Sequence, residues 1–170
     1  MRRGTRRGPP RPVRLLRHFP HRPRQGCRCS PRISISTPPR AAANLLPHGV
    51  ARRYPNLKII LSHAGGLLPY VAHRITAALV AETGRGHEEI LEDLRSFWFD
   101  TALSGGPSAL PSLLAFARPD QVLFGTDWPF APEIAVAVFT GEYDRYVGPG
   151  TGSHHAIDRN HAHALFPRLS

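Results

Sequence analysis

Cysteine is nearly absent from this chain: Cys27 and Cys29 are the only two in 170 residues. Two cysteines one residue apart make neither a disulfide framework nor a usual zinc knuckle. That usage fits a reducing, cytoplasmic setting. No run of 18 apolar residues occurs, so no membrane span is expected, and no apolar signal-peptide core follows Met1. No GxGxxG follows any candidate strand, which leaves a dinucleotide-binding fold without support. Acidic residues are missing from positions 1–40, which hold 12 of the 22 Lys+Arg and none of the 12 Asp+Glu.

That imbalance locates the charge. A net +10 suggests a nucleic-acid binder, yet residues 41–170 carry 10 basic and 12 acidic side chains, a net of −2. The basic character belongs to a tail, and nucleic acid is not the expected partner of the folded part. Residues 1–40 contain 12 Arg and 8 Pro. Proline removes backbone donors and clustered arginines repel one another, so a disordered tail is expected. Three readings of it stand: an electrostatic arm for RNA or another polyanion, a transit peptide, and a mis-assigned start. The arm lacks aromatic interleaving, since Phe19 is its only aromatic. The expected organisation is a tail over 1–40 and one domain over 41–170, where a 41% apolar content supports a core.

The periodicity changes at Ala41. Residues Ala41 to Arg53 read as a helix interrupted by Pro47 and Gly49. Leu57 to Leu61 is a β-branched apolar run, the mark of a strand buried on both faces. A helix follows from Pro69, with Val71, Ile75, Ala78 and Leu79 on one stripe. His87 to Arg95 is an acidic helix, and Phe97 to Asp100 a second strand. Leu110 to Arg118 is a helix, and Val122 to Thr126 a third strand running into Asp127. Helices over Ala131 to Thr140 and His154 to Phe166 flank a loop at 141–152. Alternation of strands with helical segments predicts parallel strands. Three strands do not close a barrel of eight, so the chain is a small open sheet or part of a larger α/β barrel.

Parallel α/β folds place chemistry at the carboxyl ends of their strands. His63, Asp100 and Asp127 would then share one rim. Asp127 suits a divalent metal or its bound water, and its bland alternative is a helix N-cap. His63 suits a general acid/base, and its bland alternative is a loop histidine bonded to backbone. Asp100 reads as a cap or as half of a salt bridge. His154, His155, His161 and His163 read as surface residues, because positions i and i+2 of a helix face different ways. His18 and His21 lie in the tail without a strand around them.

The ordered motifs resemble a known family. The segment Tyr54-Pro55-Asn56-Leu57-Lys58-Ile59-Ile60-Leu61-Ser62-His63-Ala64-Gly65-Gly66, with Pro69, Tyr70 and Arg74, resembles the sixth-strand region of amidohydrolase-related (amidohydrolase 2) enzymes. Phe99 to Ala102 resembles their seventh strand, Leu123 to Phe130 their eighth, and Asn160 to Phe166 their closing helix. The resemblance implies a metal-dependent (β/α)8 TIM barrel, of which this chain would supply the last three β/α units. It implies that Asp127 binds a divalent metal, zinc or manganese, and that His63 shuttles a proton beside it. Trp128 and Phe130 are the candidates for substrate contact. The implied activity is nonoxidative decarboxylation of an aromatic or unsaturated carboxylic acid, with a metal-dependent hydrolase of lactonase or amidohydrolase type as the alternative. A non-catalytic fragment with a basic arm is the alternative from a different class. The first-strand and fifth-strand ligands of that family have no counterpart here, so weak or no activity alone is expected. A three-strand slice should also expose two sheet edges and apolar helix faces. That predicts poor solubility or assembly, a homo-oligomer included.

Overall fold

The structure, a computed structural model, describes residues 37–148 and 154–169. The expected disordered tail therefore lies almost wholly outside the described residues, as do Cys27, Cys29, His18 and His21. Helix α1 spans Thr37–Leu45 and crosses the boundary expected at residue 40. Pro38 and Pro39 sit in its first turn, where a missing N–H costs nothing. Helix α2 is a single turn, Val50–Arg53. The break between them falls at Pro47 and at Gly49, whose φ of 61° only glycine adopts freely.

Three short strands form one parallel sheet in the order β1-β2-β3: Ile60–Leu61, Trp98–Asp100 and Val122–Leu123. The register pairs Leu61 with Phe99, and Phe99 with Val122. Helices α3 (Leu68–Thr83) and α4 (His87–Arg95) lie between the first two strands, and α5 (Ala109–Phe116) between the second and third. After β3 come α6 (Glu133–Arg145), a π-helical segment (Ala156–Asn160) and α7 (His161–Leu165). A helix-rich chain wound on three parallel strands is the arrangement of a partial α/β barrel.

The core explains the order. Phe99 is fully buried, with Leu68, Ile90, Leu91, Leu94, Leu110, Leu113 and Val122 in the same cluster. Phe116 meets Phe99 edge-on, ring centroids 5.9 Å apart. In α4 the apolar residues recur at positions 90, 91 and 94, so one face is sealed. Its other face is charged: Glu89 and Asp93 pair with Arg52 and Arg85. Exposed pairs such as Arg52–Glu89 contribute roughly 0–1 kcal/mol each, while Arg85–Asp93 is half-buried; the buried Ile90, Leu91 and Leu94 hold α4 in place.

Four expectations need correction. Ile60 is 41% and Leu57 56% exposed, so β1 is an outer strand with one face uncovered, not a strand buried on both faces. And the β3 edge is not bare. In a parallel ladder alternate residues face alternate sides: Leu123 O accepts Thr101 N–H at 3.0 Å on the β2 side. Val122 and Phe124 therefore face away from β2. Phe124 N–H donates to Ile157 O at 3.0 Å, and His161 Nδ1 lies 2.7 Å from Val122 O. Two of the outward backbone groups, Phe124 N–H and Val122 O, are satisfied by the C-terminal segment. His161 is thus a half-buried strand-edge ligand rather than a surface residue. Helix α6 also runs to Arg145, through the loop expected from Gly141. Tyr143 on its last turn is buried, donates to Asp158 Oδ1 at 2.6 Å and stacks on His154 at 4.7 Å.

Candidate active site

The three strands deliver their next residues to one rim. His63 follows β1 in a short 3-10 turn, Asp100 is the last residue of β2, and Asp127 lies in the loop after β3. Four non-glycine residues have positive φ among the described residues: His63 (55°), Ala64 (55°), Leu103 (51°) and Asp127 (67°). All four stand at strand exits. A left-handed backbone disfavours any side chain by roughly 1–2 kcal/mol, and such strain gathers where surrounding contacts impose a geometry. Gly65 is needed beside them, because a Cβ there would lie 2.9 Å from the Phe99 ring at a φ of 69°.

Asp100 ties the rim together. Its Oδ1 accepts the backbone N–H of His63 at 2.8 Å and that of Ala102 at 3.1 Å. Burial raises its carboxyl above the ordinary range; the two N–H groups and His63 oppose that rise, and the charge of Asp127 adds to it. The role is therefore a backbone cap, without the salt bridge that was the other expectation. Thr101 links the exits of β2 and β3: its buried hydroxyl accepts from Gly125 N–H at 3.2 Å and donates to Gly125 O at 3.4 Å. Gly125 can lie this close because an added Cβ would press on the Asp100 Cβ at 3.3 Å.

His63 forms part of the wall of a pocket of about 380 Å³, with Leu67, Tyr70, Leu103, Ser108 and Phe139 around it. Its Nδ1 lies 3.2 Å from Ala102 O, which also accepts the Ser104 hydroxyl at 3.0 Å. Asp127 is half-buried beside Asp100 and outside this pocket. It is not a helix cap, since α6 begins only at Glu133 behind Pro132. Trp128 and Phe130 also lie outside the pocket and are 62% and 83% exposed. Leu67, Leu103, Ser104 and Phe139 escaped notice in the sequence; a loop leucine at positive φ carries no compositional signal.

The fit to a metal is incomplete. Among the described residues, no three His, Cys, Asp or Glu side chains converge as a bound metal ion requires. Asp127 is one carboxylate, and Asp100 already spends an oxygen on backbone. His161 and His163 diverge: the first faces β3, and the second receives Arg159 Nε–H at 3.1 Å. No described helix is long and apolar enough to cross a membrane.

A three-strand parallel sheet whose ends carry a histidine and two half-buried carboxylates has the layout of a partial α/β barrel, a class that sets its chemistry on this rim. Within that class the chain belongs to the amidohydrolase (amidohydrolase 2) family, whose model matches residues 34–147. It is 45% identical over 133 residues to a 6-methylsalicylic acid decarboxylase of Penicillium expansum, covering 76% of this chain and 41% of that protein. A 6-methylsalicylic acid decarboxylase of Aspergillus aculeatus is 40% identical over 138 residues, covering 76% of this chain and 42% of that protein. Among solved structures, the dihydroxybenzoic acid decarboxylase of Polaromonas, with bound manganese and the inhibitor 2-nitroresorcinol, superposes with a TM-score of 0.62 at 25% identity. That match covers 78% of this chain and 40% of the other. The chain thus spans about two-fifths of the length of the relatives it matches.

Proposed function

We propose that this chain carries the His63/Asp127 side of a nonoxidative decarboxylase for a small aromatic carboxylic acid. The observation that carries the reading is His63, fixed at its backbone and at one ring nitrogen while lining a mostly apolar pocket at the strand ends. The chemistry asks for such a group. An aromatic carboxylate loses CO2 when the ring carbon bearing it gains a proton. The C–C bond then breaks, its electron pair returns to the ring, and the aromatic product leaves. One proton is consumed per turnover, and His63 delivers it from the pocket wall as general acid. Leu67, Tyr70 and Phe139 offer an apolar seat for the ring, and Trp128 and Phe130 stand outside it. The relatives named for 6-methylsalicylic and dihydroxybenzoic acids support this substrate class.

A divalent cation belongs to the reading through the Polaromonas relative and its bound manganese. Asp127 would be one ligand, and the others would come from outside the described residues. No step is assigned to the cation, because the described side chains do not complete its site.

The test is a graft. Residues 54–148 replace the matching stretch of the Penicillium expansum enzyme, and loss of 6-methylsalicylate is followed in the presence of manganese or zinc. Turnover is expected, with His63→Ala lowering it by at least about a hundredfold and Asp127→Ala abolishing metal uptake. A folded, metal-loaded graft that leaves the substrate intact refutes the decarboxylase reading. Hydrolysis of a lactone by that same graft would favour the hydrolase alternative.

A further inference from the structure

We infer that Asp100 is a positioning residue that fixes which nitrogen of His63 carries the proton, acting through Ala102. Three contacts close a ring. His63 N–H and Ala102 N–H donate to the same oxygen of Asp100, at 2.8 and 3.1 Å, and the Ala102 carbonyl returns to His63 Nδ1 at 3.2 Å. A carbonyl oxygen has no proton to give, so Nδ1 must be the protonated nitrogen. Neutral His63 then presents a lone pair at Nε2, and charged His63 presents an N–H there. Every proton exchanged with the pocket passes through Nε2. The hydrogen bond made by one ring nitrogen sets the tautomer of the other.

Ala102 cannot hold its carbonyl in place unaided. It lies where the chain turns out of β2, ahead of Leu103 at a φ of 51°. Asp100 anchors its N–H, and Ser104 donates a hydroxyl to the same carbonyl at 3.0 Å. Asp100 also anchors the N–H of His63, itself at a φ of 55°. One oxygen therefore sets the backbone of the proton carrier and of the group that orients its ring. Asp100 does not line the pocket, so it acts only through these neighbours.

The catalytic meaning of this ring rests on the decarboxylase reading, but its geometry does not. The experiment accordingly reads the imidazole and needs no turnover. The full chain is labelled with 15N, and long-range 1H–15N correlations are recorded at mildly alkaline pH, with His63→Ala assigning the signal. The expected pattern is protonated Nδ1 and bare Nε2. Asp100→Asn, whose oxygen still accepts both N–H groups, keeps this pattern while the backbone signals of His63 and Ala102 both shift. Asp100→Ala moves the population toward Nε2–H or an average of the two forms. The inference is overturned by Nε2–H in the unaltered chain, or by an unchanged tautomer in Asp100→Ala. If Asp100→Ala does not fold, unmoved backbone signals in Asp100→Asn overturn it equally. A correct tautomer alongside an inactive graft would sink the decarboxylase reading and leave the ring standing.

Discussion

Asp100 couples the rim to pH. Burial holds its carboxyl above the ordinary range, so the folded chain binds this proton more tightly than the unfolded chain does. This contribution to stability is complete in acid, below the ordinary carboxylate range. It is lost as pH rises through the raised value. Asp100→Asn removes the titrating proton and keeps the acceptor. The variant is therefore expected to gain stability relative to the parent on going from about pH 4 to neutrality, as urea midpoints across that range would show. A constant difference between the two proteins would refute the assignment. His63 and Asp127 were legible in the sequence because an apolar run ends beside each of them. The task of Asp100 was ambiguous there, since an aspartate at a strand end caps, pairs or ligates with equal ease. Ala102 and Leu103 gave no signal, because their contribution is a carbonyl direction and a backbone angle.

Among the elements, α4 and the order of strands and helices could be read directly. Their apolar spacing is regular, and Gly and Pro mark their ends. Helix α6 was read short because Gly141 looks like a stop, yet buried Tyr143 draws the helix onward to Arg145. The loop after β2 receives that helix at Gly105. A Cβ there would run into the carbonyl oxygen of Phe139 and lie 2.9 Å from the Cβ of Tyr143. Gly105→Ala must push α6 away, at a cost of about 1–3 kcal/mol, with near-ultraviolet dichroism reporting the loosened Tyr143. An unchanged urea midpoint would show that the helix yields freely. The strand-edge role of His161 was hidden because spacing alone cannot show a π-helical segment upstream. His161→Ala removes one of the two hydrogen bonds that cover β3 and should cost about 1 kcal/mol. Gel filtration should also show more association between chains, through the edge left open.

At the scale of the whole molecule, coverage is uneven. The β3 edge is sheathed, while Ile60 on β1, Trp128, Phe130 and the Ile134/Val138 side of α6 remain exposed. An apolar surface of this kind accords with a chain that spans two-fifths of its relatives' length. With one rim carboxylate and no converging trio among the described residues, manganese should leave the melting temperature of this chain unmoved, because only a ligand that binds the folded state raises it. A calorimetric scan showing a clear upward shift would mean that the ligand set is complete after all. The sheath on β3 also carries a consequence for the order of folding. Val122 and His161 are 39 residues apart, a longer loop than the one closed by pairing Phe99 with Val122, so this clasp forms after β3 has joined β2. Contacts made late weigh on escape from the native state and not on entry to it. Loosening the clasp with His161→Ala should therefore steepen unfolding in stopped-flow traces and leave the refolding rate nearly untouched.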